Sequence, residues 1–89
     1  MEKRQLAADV LKALGGAGNL IETRYCASRI RVTVRDSASL DRAALEALAA
    51  VKAVLELGRA QHGTEYHLVV GPGNSRSLYQ ALTELIGQQ

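Results

Sequence analysis

The chain has 89 residues, 47% of them hydrophobic, which is enough for one domain with one core and excludes a disordered tail. Eleven basic and nine acidic side chains give a net charge of +2, a balance that does not by itself favour a nucleic-acid or membrane binder. A single cysteine cannot form an internal disulfide, so a reducing compartment is the simplest expectation. Because no apolar run approaches the length of a membrane span or signal peptide, we predict one cytoplasmic domain over residues 1–89.

The first half of the chain predicts a helix followed by two strands. Leucine and valine recur at helical spacing over residues 2–14, and Gly15-Gly16 then supplies a stop. The segment from Asn19 to Cys26 is a weaker strand candidate. The segment from Arg29 to Arg35 alternates apolar and polar residues, which is typical of a half-buried strand with a basic outer face.

The second half predicts a helix and a hairpin before the last helix. Ser39 is the predicted cap of a helix that carries the apolar residues between Leu40 and Leu48. Two strand candidates, Ala53–Leu57 and Glu65–Val70, follow each other closely enough to form an antiparallel hairpin. His62 lies in the connection between them, where a solvated role is the simpler interpretation.

The last helix is predicted to begin at Asn74 or Ser75. The complete order is therefore helix, strand, strand, helix, strand, strand, helix. Short links between paired strands favour an α+β two-layer sandwich, in which helices cover one face of an antiparallel sheet. The other face of the sheet would carry Arg29, Arg31 and His67 and would stay accessible.

Cys26 is the candidate nucleophile of the chain. It lies where the first predicted strand turns into the second, and Arg29 and Arg31 follow within five residues. The thiolate is the reactive form of cysteine, and a guanidinium about 4 Å away favours it by roughly 1–4 kcal/mol. The same arginines would bind an anion brought to the sulfur. A lone cysteine is also a common small buried hydrophobe, and charges alternate on many solvent-facing strands, so the spacing alone leaves both interpretations open.

The residues around Cys26 resemble the IIB domain of the bacterial sugar phosphotransferase system, in its glucose and N-acetylglucosamine group. The family pattern runs Gly-Gly, then Asn-Ile, then Cys-x-Thr-Arg-Leu-Arg-Val, then Asp, and later Val-Asp at the start of a helix. The corresponding residues here are Gly15-Gly16, Asn19-Leu20-Ile21, Cys26-Ala27-Ser28-Arg29-Ile30-Arg31-Val32, Asp36 and Leu40-Asp41. The similarity continues through the hairpin to Gly71 and covers most of the chain from about Leu6 onward.

The resemblance implies a four-stranded antiparallel sheet with three helices on one face, in agreement with the element order. It also implies a phosphoryl carrier, in which the cysteine accepts phosphate from a phosphohistidine of a IIA protein. The carrier then passes the phosphate to a sugar held by a membrane-embedded IIC partner. Such a domain needs no metal or other cofactor, and it would be cytoplasmic and associated with the inner face of the membrane through IIC.

The resemblance also implies a role for each matched residue. Cys26 would be the nucleophile and the site of phosphorylation. Ser28, in place of the family threonine, would donate its hydroxyl to a phosphoryl oxygen. Arg29 and Arg31 would attract the phosphate of the donor or organise an acidic partner.

Departures from the family pattern leave other functions open. Tyr25 occupies a position that is usually small or acidic, and His67 stands where the family often has glutamine. These differences are compatible with a regulatory phosphoprotein that keeps cysteine phosphorylation without sugar transfer. A nucleic-acid-binding module that uses the basic sheet face is a further alternative. That face offers arginines and no aromatic pair on which bases would stack, so we expect no nucleic-acid partner.

Overall fold

The computed structural model describes residues 3–59 and 62–87. Within them the order is α1 (Lys3–Ala13), β1 (Leu20–Tyr25), β2 (Arg29–Val34), α2 (Arg42–Ala47), β3 (Ala53–Arg59), β4 (Thr64–Val69) and α3 (Ser75–Gly87). The four strands form one antiparallel sheet in the order β1-β2-β4-β3. The predicted α+β class and element order are therefore confirmed. Residue 2, the predicted first residue of α1, lies outside the described residues.

Alternation along β2 gives the sheet an inner face and an open face. Ile30 and Val32 are 0% and 1% exposed and belong to the core beneath the helices. Arg29 and Arg31 point the other way, because successive strand residues project to opposite faces. Arg31 pairs with His67 across the sheet, so His67 shares its face. We call this side, which also carries Glu65, the open face.

The core lies between the inner face of the sheet and the helices. It is aliphatic apart from one tyrosine and includes Leu6, Val10, Leu14, Ile30, Val32, Leu45, Val54, Tyr66, Leu68, Leu78 and Leu82. α1 packs against α3, α3 contacts β1 and β2, and α2 contacts α1 and β3. Among the described residues, no helix combines the length and hydropathy that crossing a membrane requires.

Asn19 holds together the corner that follows α1. Its Nδ2 donates to the carbonyls of Leu14 and Asp36 at 2.8 and 3.1 Å, and its Oδ1 accepts from the N–H of Asp36 at 2.9 Å. Gly15 adopts φ +100°, and a Cβ there would lie 2.7 Å from Nδ2 of Asn19. Glycine is therefore required at this position by its backbone conformation and by the space that the amide occupies. The corner joins the end of α1 to the end of β2.

The predicted cap of α2 was wrong. Asp41 caps this helix, because its Oδ1 accepts from the N–H of Ala44 at 3.0 Å. Ser39 instead ends a single 3-10 turn, where its hydroxyl donates to Oδ2 of Asp36 at 3.0 Å. Serine and aspartate are both good helix caps. The extra 3-10 turn, which local propensity did not reveal, moves the start of the helix to Asp41, the later of the two residues.

The hairpin of β3 and β4 is longer than predicted. β3 continues past Leu57 to Arg59, and a register shift between Glu56 and Gly58 accommodates an extra residue. Gly58 adopts φ +103°, as expected for a bulge that uses glycine. The connection between the strands is correspondingly short, and residues 60 and 61 within it lie outside the described residues. His62 is exposed, as its predicted place in this connection requires.

Candidate functional site

Cys26 lies at the corner between β1 and β2 and is exposed. Its N–H donates to the carbonyl of Arg29 at 2.9 Å, which extends the register of the two strands by one pair beyond Tyr25 and Ile30. Opposite residues of an antiparallel pair project to the same face, with Cβ atoms about 4.5–5.5 Å apart. The sequence therefore folds so that Cys26 and Arg29 are neighbours at one end of the open face.

The carbonyl groups of the turn between these two residues are anchored to the body of the domain. The hydroxyl of Ser75, in the first turn of α3, lies 2.5 Å from the carbonyl oxygen of Cys26 and 3.1 Å from that of Ala27. Ser75 is only 3% exposed. The carbonyl of Ser28 accepts from the first two N–H groups after β4, at 2.9 and 3.0 Å. Three successive carbonyls thus have partners on α3 or in the segment directly after β4.

The N–H groups of the same peptide units face the opposite way. In a trans peptide the C=O and N–H bonds are antiparallel, so fixing the carbonyls of Cys26 and Ala27 toward Ser75 turns the N–H groups of Ala27 and Ser28 away from it. Across residues 3–59 and 62–87, neither N–H group donates to a protein acceptor. The turn therefore presents two backbone donors beside an exposed thiol, and successive outward N–H groups of this kind bind anions.

A hydrogen-bonded chain crosses the open face from Arg29 to Arg31. Nη1 of Arg29 lies 3.2 Å from Nδ1 of His67, and Nε2 of His67 lies 3.0 Å from Oε2 of Glu65. The same Oε2 lies 3.4 Å from Nη2 of Arg31. A guanidinium has no acceptor, so Nδ1 of His67 must accept and Nε2 must carry the proton that is donated to Glu65.

The environment of Glu65 favours its carboxylate form. The hydrogen bond from His67 is the largest cause that lowers the pKa of Glu65, and the hydrogen bond and charge of Arg31 lower it further. Partial burial acts in the opposite direction and does not outweigh them. Glu65 is therefore ionised at neutral pH and acts as a permanent acceptor for both partners.

The predicted site residues differ in their distance from the thiol. Ser28 is half-buried in the turn, and its hydroxyl makes no hydrogen bond within the described part of the chain. Arg29 is the direct neighbour of Cys26. Arg31 lies two residues beyond Arg29 along β2, which separates the Cα atoms of the two arginines by about 7 Å. Its guanidinium contacts Glu65. The structure thus brings Ser28 and Arg29 close to Cys26 and separates Arg31 from it.

Two residues near the site, Ser75 and Glu65, were missed by the interpretation of the sequence. The spacing of Glu65 and His67 on β4 was the available signal, because residues two apart on a strand share a face. Ser75 had no such signal, since it contacts a residue 49 positions earlier in the chain. No group of three or more His, Cys, Asp or Glu side chains in the described residues is arranged to hold a metal ion.

Comparison with known proteins identifies the domain. A family model described as phosphotransferase system, EIIB, matches residues 8–41. The N-acetylmuramic acid-specific EIIBC component of Photorhabdus laumondii is 31% identical over 83 residues, which are 93% of this chain and 16% of that protein. The sucrose-specific EIIBC component of Pasteurella multocida is 30% identical over 87 residues, 98% of this chain and 17% of that protein.

A solved structure extends the likeness from sequence to fold. One domain of the PTS system IIabc component from Clostridium difficile matches with a TM-score of 0.74 and 25% sequence identity, covering 93% of this chain and 82% of that one. The matched residues 8–41 include Cys26, the turn and both arginines. The chain belongs to the EIIB family of the phosphotransferase system.

Proposed function

We propose that this domain carries a phosphoryl group in a sugar phosphotransferase system and that Cys26 is the residue phosphorylated. The observation that supports this most strongly is the exposed thiol of Cys26 beside two outward N–H groups, with Arg29 as its cross-strand neighbour. Phosphoryl transfer depends mainly on positioning and on stabilising charge at the phosphoryl oxygens, and these groups supply both.

The reaction would proceed in two displacements at phosphorus. First, the thiolate of Cys26 attacks the phosphorus of a phosphohistidine on a IIA protein, so that an S–P bond forms while the N–P bond breaks and the imidazole leaves. Second, a hydroxyl oxygen of a sugar attacks the same phosphorus, the S–P bond breaks and the thiolate is regenerated. The hydroxyl proton leaves to a base of the sugar-binding partner or to solvent. No redox change occurs in either step.

The residues around the thiol would divide the work between them. The N–H groups of Ala27 and Ser28 and the hydroxyl of Ser28 would donate to the phosphoryl oxygens. Arg29, on the same face as Cys26, would balance the charge of the transferred group. Arg31, further along the strand and exposed, would contact the acidic surface of a partner.

The names of the relatives support the choice of partners. Those relatives are EIIBC components and a IIabc component, so the proposed partners are a IIA phosphohistidine protein and a membrane IIC protein that holds the sugar. The chain spans 16% and 17% of the two EIIBC relatives, and we infer that IIC lies in another part of the system. Residues 1–89 would act as one cytoplasmic domain at the inner face of the membrane.

The open face is poorly suited to the nucleic-acid alternative. Arg24 pairs with Glu22 at 2.6 Å, and Arg31 pairs with Glu65 at 3.4 Å, so carboxylates offset two of the arginines that would hold phosphates. Tyr25 offers no stacking platform on that face, because it projects to the helix side, where its ring lies 4.8 Å from that of Tyr79.

The alternative of a regulatory phosphoprotein shares the phosphorylated cysteine with the proposed carrier. It differs only in that the phosphoryl group is not transferred to a sugar.

The test is phosphorylation of the purified chain by phosphoenolpyruvate, the two general phosphotransfer proteins and a panel of IIA proteins. Intact-mass measurement should show one added phosphoryl group that is sensitive to iodine, and the Cys26→Ser variant should lack it. Arg29→Gln should slow acceptance by roughly 10²-fold, the scale of losing one charge-stabilising donor. Arg24→Gln, which removes an exposed arginine from the same face, should leave the rate nearly unchanged.

Two results would contradict this proposal. The first is the absence of phosphorylation with donors that phosphorylate a known EIIB domain in parallel. The second is a phosphoryl group that persists in Cys26→Ser. Adding membranes that contain a matching IIC and its sugar then separates transport from regulation, because only a transport domain loses its phosphate to the sugar.

A further inference from the structure

The end of the sheet at which Cys26 lies carries cations that the proposed reaction does not use. We propose that Lys3, Lys52 and Arg76, together called the basic end, form a docking surface for the anionic lipid headgroups of a membrane. This inference rests on the proposed function and deepens it, because it assigns the surface that contacts lipid while Cys26 serves a membrane-embedded sugar partner.

Contacts around one glycine bring two of these cations close to the reactive turn. The N–H of Gly71 donates to the carbonyl of Ser28 at 3.0 Å, so this glycine borders the turn. Cε of Lys52 lies 3.2 Å from the position that a Cβ on Gly71 would occupy. Nδ2 of Asn74 lies 3.7 Å from the same position, and Oδ1 of Asn74 accepts from Nζ of Lys3 at 3.3 Å. Two lysine side chains from different elements therefore approach the segment that packs against the reactive turn.

Arg76 adds a third cation, from α3. It is exposed in the first turn of this helix and directly follows Ser75, whose hydroxyl contacts two carbonyls of the reactive turn. Lys52 is also exposed, and Lys3 is half-buried. Among the described residues, none of the three cations forms an ion pair with a carboxylate. Their charge is therefore available to an external anion.

The carboxylates of the sheet lie away from the basic end. Glu22 and Glu65 are four residue positions, and Glu56 is three, from the row of the sheet that contains Cys26. At about 3.3 Å per residue, these carboxylates are roughly 10–13 Å from that row. The net charge of +2 therefore understates the positive charge at this end of the domain, and it is the local charge that a charged surface meets.

An apolar depression adjoins the basic end. Its volume is about 340 Å³, and its lining residues are Lys3, Leu6, Leu48, Ala49 and Ala50. Apolar side chains next to a cation are the combination that binds at the boundary between lipid headgroups and acyl chains. The depression therefore offers an apolar contact beside the ammonium group of Lys3.

Charge complementarity favours lipid over the protein partners as the occupant. For Cys26 to reach a sugar held by IIC, the end of the sheet that carries it must turn toward the membrane. Cytoplasmic loops of membrane proteins have an excess of Lys and Arg, which repel a basic surface. The lipids of the cytoplasmic leaflet are anionic and attract such a surface, by roughly fivefold in affinity per cation. An acidic donor protein instead has Arg31 to contact, on the other side of the sheet from the helices that carry Lys3 and Arg76.

The test is cosedimentation of the purified chain, at low ionic strength, with two kinds of vesicle. One kind is phosphatidylcholine alone, and the other is an equal mixture of phosphatidylcholine and phosphatidylglycerol. The variant Lys3→Gln/Lys52→Gln removes two cations from the basic end. Lys12→Gln/Arg59→Gln is the matched control, because it removes the same net charge from exposed residues at the last turn of α1 and the last residue of β3.

We expect the unmodified chain to bind the anionic vesicles and not phosphatidylcholine alone. Lys3→Gln/Lys52→Gln should lower the partition coefficient by about 20-fold, the product of two cations. The control should lower it by about twofold or less, because its charges lie further from the bound surface than salt screening allows them to act. Absence of binding to the anionic vesicles would overturn the proposal. Equal losses in the two double variants would do the same, since binding would then follow net charge alone.

A second measurement locates the bound surface without any variant. Nitrogen-15 NMR of the unmodified chain with lipid nanodiscs of the same mixed composition should shift the amide signals of residues 71–76 and of Lys52. Shifts confined to the open face would contradict the proposal, because that face carries none of the three cations.

These measurements contain no phosphoryl donor, so their outcome is independent of the phosphoryl-carrier function. A chain that binds the anionic vesicles as expected but is never phosphorylated keeps the lipid surface and loses the proposed function. A chain that is phosphorylated but does not bind them keeps the function and loses the lipid surface. If Lys3→Gln/Lys52→Gln then raises the KM for IIA, the basic end is a contact of the donor protein and the lipid assignment is wrong.

Discussion

Two polar residues of the same sequence motif, Asn19 and Cys26, have opposite environments. Asn19 is 8% exposed, and within the described residues its amide oxygen and nitrogen bond only to backbone groups of Leu14 and Asp36. Cys26 is exposed, and its side chain forms no hydrogen bond to the described residues. The first half of the motif therefore maintains the fold, while the second half presents reactive groups. Residues from both halves fit the family pattern, although only the second half bears on chemistry.

We predict that Asn19→Ala destabilises the domain by about 2–4 kcal/mol, because it leaves the carbonyls of Leu14 and Asp36 and the N–H of Asp36 without their side-chain partner. The free energy of unfolding from urea denaturation measures this loss. Asn74→Ala is the control, since Asn74 is exposed and its amide donates to one carbonyl, that of Val70, at 3.1 Å. Asn74→Ala should lower the free energy of unfolding by less than about 1 kcal/mol. Equal destabilisation by the two substitutions would contradict the role assigned to the corner.

At the scale of single elements, α3 links the core to the site. Leu78 and Leu82 are 0% exposed and fix the helix against the rest of the core. Ser75, one turn earlier, reaches the carbonyls of Cys26 and Ala27 from the buried side. The position of the turn therefore depends on the packing of a helix that contributes no group to the open face. This dependence is what directs the free N–H groups outward.

Ser75→Ala should slow phosphoryl acceptance by about tenfold or more, because the two freed peptide units no longer keep their N–H groups turned outward. It should also destabilise the domain by about 1–3 kcal/mol, since it removes the buried hydroxyl that donates to these carbonyls. Ser75→Thr retains a hydroxyl and should restore much of both losses. Ser77→Ala is the matched control, because the hydroxyl of Ser77 lies in the same helical turn and donates to the carbonyl of Asn74 at 3.2 Å.

The measurements are the rate of Cys26 phosphorylation by a IIA donor and the free energy of unfolding of each variant. An unfolding loss without a change in rate would show that Ser75 supports the fold but does not orient the turn. A rate loss in Ser77→Ala equal to that in Ser75→Ala would show that any change in the first turn of α3 disturbs the site. Either result contradicts the positioning role.

At the scale of the whole molecule, the helices and the chemistry occupy opposite sides of one sheet. The inner face contributes apolar residues to the core, and the open face carries the arginines, Glu65 and His67. A partner can approach the open face without displacing a helix. The domain therefore separates the residues that set its stability from those that set its reactivity.

Because of this separation, we predict that truncating two different leucines lowers the free energy of unfolding by different amounts. Leu78→Ala should lower the free energy of unfolding by about 2–5 kcal/mol, because the side chain is 0% exposed and its removal leaves a cavity. Leu57→Ala should change it by less than about 0.5 kcal/mol, because Leu57 is 53% exposed. Thermal and urea denaturation of both variants measure the difference. A comparable loss in Leu57→Ala would show that the exposed end of β3 is covered in solution.

The order of the elements and the two faces of β2 were predictable from the sequence, because periodicity records which side of a helix or strand is buried. The alternation from Arg29 to Val34 placed the arginines on the accessible side, and the position of Cys26 between two strand patterns placed it at a corner. Boundaries were less predictable. Ser39 and Asp41 are both suitable caps, and the 3-10 turn that ends at Ser39 moves the start of the helix to Asp41.

Periodicity along the chain determined the layers of this domain, the corner at which Cys26 lies and the side on which its arginines lie. Only the tertiary structure decided which groups meet there, namely Ser75 with the carbonyls of the turn and His67 with Arg29. These contacts join residues 49 and 38 positions apart, and they depend on strand register and helix packing. Local sequence patterns contain the periodicity of each element, whereas the placement of one element against another follows from burying the whole core at once.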